Sequence, residues 1–96
     1  MSSESIHEPI EKLSQQTIEL HRGLMSLQEE LEAVDWYSQR VDASDNAELK
    51  SIMAHNRDEE IEHAAMMIEW LRRNNPMFAK QLKKFLFTDK PIAEHE

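Results

Sequence analysis

Apolar residues recur every three, four or seven positions along most of the chain, and this spacing constrains the fold more than any other feature. In the first half the series is Leu13, Leu20, Leu24, Leu27, Leu31, Val34 and Val41. Such spacing places the apolar side chains on one face of an α-helix. Since the 96 residues include one glycine and three prolines, few positions favour turns. The sequence therefore predicts an all-α protein.

Breaks in this pattern predict where the helices begin and end. Pro9 suits the first turn of a helix, so we expect a first helix over about residues 8–40. A polar turn over residues 42–46 follows. Asp45 and Glu48 resemble a capping box, which predicts that the second helix begins there.

The second helix should end at about Asn74, because Asn75 and Pro76 can stop it and cap a short third helix. The third helix has four apolar side chains on one face: Phe78, Leu82, Phe85 and Leu86. We expect a single half-bundle domain over residues 1–96, with frayed ends at about 1–7 and 91–96.

Two long amphipathic helices joined by a short turn make an antiparallel hairpin that buries only one seam. Much of each apolar stripe would still face water, so the hairpin needs a partner. The simplest partner is a second copy, which completes a four-helix bundle by two-fold symmetry. The sequence thus predicts a homodimer.

Charge and composition narrow the functional classes. Residues 1–71 carry 16 acidic and 5 basic side chains, and the net charge of the chain is −8. An acidic body repels nucleic acid and anionic lipid and attracts cations, although the same charge could serve solubility alone. No apolar run approaches the roughly 20 residues of a membrane-spanning helix, and no secretory signal opens the chain. We therefore expect a cytoplasmic protein with no nucleic-acid or membrane partner.

The absence of cysteine leaves histidine and carboxylate as ligands for a transition metal. At about 100° per residue, Glu60 lies within about 40° of the apolar residues of the second helix, and His63 lies about 60° away. These two residues are one turn apart, so both can reach one ion in a bundle interior. On the first helix Glu30 leans toward the apolar stripe, whereas Glu29 and Glu32 point to the opposite face.

Each of these residues also has a purely structural interpretation. Glu60 and His63 could be core polar groups satisfied by hydrogen bonds, but an ionised carboxylate in an apolar stripe needs a cation or a donor. We therefore favour metal ligation for this pair. For Glu30 both interpretations stay open, because it could lie at the margin of the stripe and reach solvent. Tyr37, seven residues further on, could be an interface residue or support the site.

Glu30, Glu60 and His63 together make up half of the ligand set of a di-iron centre. Di-iron carboxylate bundles take one Glu from each of two helices and a Glu-x-x-His from each of the other two. A two-fold axis acting on Glu30, Glu60 and His63 gives four carboxylates and two imidazoles around two metals. Ligation rich in oxygen, with one histidine per metal, suits iron or manganese.

The runs over residues 29–37 and 54–66 resemble the encapsulated ferritins, the cargo of bacterial and archaeal encapsulin nanocompartments. The likeness extends from His7 to Thr88. It implies a ferroxidase that oxidises Fe²⁺ with O₂ and stores iron with an encapsulin shell. It also implies an open, ring-shaped decamer of five dimers, each of which is a ferritin-like bundle with a di-iron centre across its interface.

The resemblance assigns roles to particular residues. The family's iron-binding Glu, Glu and His correspond to Glu30, Glu60 and His63. Its outer glutamates, which attract iron and can hold Ca²⁺ or other divalent ions, correspond to Glu29 and Glu32, and its aromatic pair beside the site corresponds to Trp36 and Tyr37. Family members usually end in a targeting peptide for the shell. This sequence ends at Glu96 without one, so we expect a form shortened from a longer protein.

Two other functions remain open from the sequence. The chain could be a helical oligomerisation or scaffold module whose inward Glu and His specify register through a buried polar network. It could also be a divalent-metal buffer without redox chemistry. Addition of Fe²⁺ in air separates the ferroxidase from both alternatives.

Overall fold

The computed structural model describes residues 5–93, and within them it is all-α, without strands. Helix α1 spans Gln15–Ala43, α2 spans Ala47–Asn74 and α3 spans Pro76–Phe85, and a 3-10 turn covers Ile10–Lys12. Helices α1 and α2 pack together as an antiparallel hairpin, and α3 packs on α2. The predicted fold class and the predicted hairpin are thus confirmed.

Helix α1 begins later than the sequence predicts. Pro9 precedes the 3-10 turn instead of opening α1, and the backbone is extended at Leu13, with φ −95° and ψ 138°. The hydroxyl of Ser14 then accepts a hydrogen bond of 3.1 Å from the backbone N–H of Thr17. Because this bond satisfies an N–H that has no partner inside the helix, Ser14 sets the start of α1.

The turn between α1 and α2 also differs from the prediction. Helix α1 continues to Ala43 instead of ending at Arg40. The residue that caps α2 is Asn46, whose Oδ1 accepts a hydrogen bond of 2.9 Å from the backbone N–H of Leu49. The predicted cap at Asp45 is therefore wrong by one residue. Asn and Asp are equally good caps, so the sequence pattern could not choose between neighbours.

The end of α2 and the start of α3 agree with the prediction. Asn75 Oδ1 accepts hydrogen bonds from the backbone N–H groups of Met77 at 3.1 Å and Phe78 at 2.9 Å, and Pro76 is the first residue of α3. Part of each end expected to fray, residues 1–4 and 94–96, lies outside the described residues. None of the helices described is both long and apolar enough to cross a membrane.

The hairpin has a small core. Gly23 of α1 and Ala64 and Leu71 of α2 are buried. Other apolar side chains are open to solvent: Leu31 is 52% exposed and Met66 is 61% exposed. Burial of apolar surface is the main force that stabilises a folded chain, so this much exposed surface fits the expectation that the hairpin needs a partner.

Candidate metal centre

The two long helices bring Glu30, Glu60 and His63 together. Helix α1 contributes Glu30, and α2 contributes Glu60 and His63, which share a face because they are three positions apart. One ligand atom from each of the three side chains lies within 4.8 Å of the other two. Within residues 5–93, no other group of three His, Asp or Glu side chains meets this geometry.

The imidazole of His63 lies between the two carboxylates. Its Nδ1 is 3.1 Å from Oε1 of Glu30 and 3.5 Å from Oε1 of Glu60. The side chains of Glu30 and Glu60 are 24% and 25% exposed, whereas that of His63 is 51% exposed. The cluster is therefore closed on the carboxylate side and open on the histidine side, where an ion could approach.

Burial raises the pKa of Glu30 above its ordinary value of 4.5, and interaction with Glu60 raises it further; His63 offsets only part of the rise. His63 Nδ1 lies 3.1 Å from Glu30 Oε1 in an ion-pair contact, and this buried oxygen accepts no hydrogen bond of good geometry. A carboxylate in this position is stabilised most by a cation. The electrostatics thus fit a metal ligand better than a satisfied core polar group.

Two carboxylates and one imidazole are ligands that suit Fe²⁺ or Mn²⁺. They also represent one Glu and one Glu-x-x-His, half of the set in di-iron carboxylate bundles. One chain supplies three donor residues, fewer than an octahedral ion takes. The residues present therefore fit a metal, and they leave coordination positions open for further ligands.

The other predicted site residues lie outside this cluster. Glu29 and Glu32 are exposed, and Trp36 is 51% exposed. The ring of Tyr37 is half-buried and lies 5.2 Å from the guanidinium carbon of Arg40, a cation–π distance. The structure therefore brings together Glu30, Glu60 and His63 and does not bring the other four predicted residues into the same cluster.

The sequence interpretation missed one close contact between the helices. Gly23, the single glycine of the sequence, is buried against the ring of Trp70. A Cβ at this position would lie 2.9 Å from Trp70 Cε3 and still closer to Cζ3. A glycine inside a helix costs about 1 kcal/mol relative to alanine, so its presence on an inward face was the available signal of close packing.

Comparisons with known proteins find relatives over nearly the whole chain. A sequence model of the EncFtn-like family matches residues 5–89. The chain is 59% identical over 95 residues to the encapsulated ferritin-like protein of Rhodospirillum rubrum, and the match covers 99% of this chain and 68% of that protein. It is 50% identical over 94 residues to the ferritin-like protein of Thermotoga maritima, with 98% and 82% covered.

A third relative and a solved structure extend the comparison. The encapsulin nanocompartment cargo protein EncC of Myxococcus xanthus is 39% identical over 67 residues, which cover 69% of this chain and 52% of that protein. The crystal structure of protein ne0167 from Nitrosomonas europaea matches the fold with a TM-score of 0.88 and 60% identity. That match covers 93% of this chain and 98% of the other.

A helical hairpin that groups Glu, Glu and His between its two long helices has the ligand types of ferritin-like carboxylate bundles. The matches over nearly the whole chain make the assignment more specific. The chain belongs to the EncFtn-like family. The resemblance to encapsulated ferritins noted in the sequence is thus confirmed.

Proposed function

We propose that the protein is a ferroxidase, which oxidises Fe²⁺ to Fe³⁺ with O₂ at a di-iron centre. The observation that carries the proposal is the cluster of Glu30, Glu60 and His63, in which one buried Glu30 oxygen lacks a donor. Membership of a family with ferritin-like relatives supports iron as the metal.

The centre would be shared by two chains. A two-fold axis would bring together two copies of Glu30, Glu60 and His63, enough to hold two ions with bridging carboxylates. Exposed apolar side chains such as Leu31 and Ile52 supply surface for such an interface. Apolar burial stabilises it by roughly 25 cal/mol per Å². In this proposal residues 1–96 form one half-bundle domain, and five dimers close into a ring.

The ligand types suit oxidation of iron. Carboxylates bridge two ions and tolerate the higher charge after oxidation, and a neutral His63 holds iron without adding negative charge. The exposed Glu29 and Glu32 would attract Fe²⁺ to the centre or hold Ca²⁺ or other divalent ions. Trp36 and Tyr37 would border the route between these outer acids and the inner cluster.

Storage would depend on a shell. One relative is described as encapsulated and another as an encapsulin cargo protein. We infer the same setting for this chain, the lumen of an encapsulin nanocompartment in the cytoplasm. A ring of hairpins that is open to solvent cannot hold a mineral by itself, so the oxidised iron would be retained by the shell.

The test is oxidation of Fe²⁺ in air, followed by Fe³⁺ absorbance and by O₂ consumption. The wild-type protein should oxidise iron faster than buffer alone, and Glu60→Ala should not, because it removes a ligand from both halves of the centre. Glu62→Ala is the matched control. It removes the same charge from the same helix at an exposed position two residues away, and it should behave as the wild type.

The possible results separate the candidate functions. Oxidation no faster than in buffer, with Fe²⁺ bound, would indicate a metal buffer, and absence of bound metal would indicate a scaffold module. Equal loss in the Glu60 and Glu62 variants would show that net negative charge, and not the cluster, attracts the iron that O₂ oxidises. Any of these three results would remove the ferroxidase proposal.

A further inference from the structure

The Gly23–Trp70 contact and the metal cluster are related by the same seven-residue step along both helices of the hairpin. Gly23 precedes Glu30 by seven residues, and Trp70 follows His63 by seven residues. Trp70 packs on Gly23, and His63 lies against Glu30. Because α1 and α2 run antiparallel, the two pairs form layers two helical turns apart, about 10 Å along the helix axis.

The buried apolar side chains are part of the same two layers. Ala64 follows His63 in the sequence and is 6% exposed, and Leu71 follows Trp70 and is 1% exposed. Each layer therefore contains one buried apolar residue at the same level of α2 as the cross-helix pair. Packed side chains transmit strain, so these buried positions can carry a displacement from one layer to the next.

We propose that the packing of Trp70 on Gly23 sets the separation of α1 and α2 at the cluster of Glu30, Glu60 and His63. In this view Gly23 and Trp70 are positioning residues that touch no metal. The inference rests on the proposed function, because it concerns how the same three ligands are held at the right distance.

The distances give the size of the effect. An added Cβ at residue 23 would lie 2.9 Å from Trp70 Cε3, and ordinary van der Waals contact begins at 3.4 Å. The ring or the helix must therefore move by about half an ångström, and the shorter contact with Cζ3 requires more. Metal–ligand distances stay within about 0.2 Å of their preferred values, so transmission of part of this movement would disturb the centre.

A competing outcome is visible in the structure. Within the described part of the chain, Trp70 borders three grooves. Two, of about 430 and 440 Å³, are shared with Arg22 and with Arg73, and the third, of about 310 Å³, is shared with Pro76. The ring could swing into one of these grooves and leave the helices in place. The chain has one other tryptophan, Trp36, so a change in Trp70 environment is measurable as a change in fluorescence.

The experiment measures binding of Co²⁺, whose visible absorption reports the number and geometry of its ligands. The variants are Gly23→Ala, Trp70→Phe and the double variant, all in the full chain, with Glu60→Ala as the loss-of-ligand reference. Phe lacks the ring atoms that the new Cβ meets. Ser51→Ala, at an exposed position of α2, controls for the gain in helix propensity.

We expect Gly23→Ala to keep its helical circular dichroism and to bind Co²⁺ about 10-fold or more weakly, the range seen when residues behind metal ligands are changed. Its Co²⁺ spectrum should also change. The double variant should recover most of the affinity, because the phenyl ring leaves room for the new Cβ. Ser51→Ala should bind as the wild type does.

The outcomes distinguish the inference from the function it rests on. If the wild type and Glu60→Ala bind Co²⁺ equally, the proposed metal site is wrong, and the inference fails with it. If only Glu60→Ala loses binding while Gly23→Ala keeps the wild-type affinity and spectrum, the site stands and the positioning role is wrong. A changed tryptophan fluorescence in that case would show that the ring has swung aside.

Two further results also decide the matter. A weakened Gly23→Ala that the double variant does not rescue would overturn the inference, since the defect would not come from contact with the ring. If Gly23→Ala does not fold, Trp70→Phe alone carries the test. This substitution removes ring atoms that pack against Gly23, so it should weaken Co²⁺ binding. Unchanged binding in that variant would overturn the positioning role.

Discussion

Replacement of Glu30 by glutamine should stabilise the metal-free protein while it abolishes metal binding. Glutamine keeps the shape of the side chain and removes its charge. In the folded chain that charge is disfavoured, because burial and the nearby Glu60 raise the pKa of Glu30. The substitution also places an amide donor beside the carboxylate of Glu60. A residue kept for a metal should therefore be a source of instability when the metal is absent.

The magnitude follows from the spacing of the two carboxylates. Their ligand oxygens lie within 4.8 Å of each other. Two unit charges at that distance repel by about 1 kcal/mol in water and by about 3.5 kcal/mol at an effective dielectric constant of 20. His63 offsets part of this, so we expect a gain of about 1 kcal/mol in the free energy of unfolding. For a chain of this size that gain raises Tm by about 4–8 °C.

The assay is thermal unfolding by circular dichroism at pH 7, after treatment with a chelator and then with added Mn²⁺. Protein concentrations must be equal, because association contributes to stability. Mn²⁺ should raise the Tm of the wild type and leave that of Glu30→Gln unchanged. Glu29→Gln, with the same charge change at the exposed neighbour, should respond like the wild type. A lower Tm for metal-free Glu30→Gln would refute the electrostatic argument, and a full response to Mn²⁺ would refute the ligand role.

Three more predictions concern the outer acids, the assembly and pH. Glu32→Ala should slow iron oxidation at low Fe²⁺ and leave it unchanged at saturating Fe²⁺. Initial rates measured against iron concentration test this, and an equal loss at saturation would place Glu32 among the inner ligands. If each chain holds half a centre, as proposed, Fe²⁺ or Mn²⁺ should increase the mass measured by light scattering in the wild type but not in Glu60→Ala. A mass independent of metal in an active wild type would contradict this. Hydrogen bonds from Arg72 and Arg73 lower the pKa of Glu69 from 4.5 to about 2. The stabilisation that ionised Glu69 gives the folded chain is therefore full above pH 4.5 and is lost as the pH falls toward 2. The difference in Tm between wild type and Glu69→Gln should shrink over that interval. A constant difference would show that the ion pair is not its cause.

The sequence by itself determined the elements that depend on local spacing. Helical periodicity gave the all-α class and the hairpin, and Asn75 with Pro76 marked the start of α3 correctly. The same periodicity placed Glu60 and His63 one turn apart on one face of α2. These properties follow from 3.6 residues per turn and from cap chemistry, which neighbouring residues decide without help from the rest of the chain. Cap positions at Ser14 and Asn46 escaped prediction because several nearby residues could serve equally well.

Only the tertiary structure decided what lies across the helix seam. The sequence did not decide whether Glu30 is a ligand or a residue at the margin of the apolar stripe. Packing of α1 on α2 places its Oε1 3.1 Å from His63 Nδ1, and this buried oxygen accepts no hydrogen bond. The contact of Gly23 with Trp70 likewise joins residues 47 positions apart. Helical periodicity fixes a side chain's direction about its own axis, but the axial register and distance of two helices come from how their surfaces interlock. Local sequence therefore determines which face of its helix each side chain lies on, whereas the grouping of the three candidate ligands depends on interhelical packing.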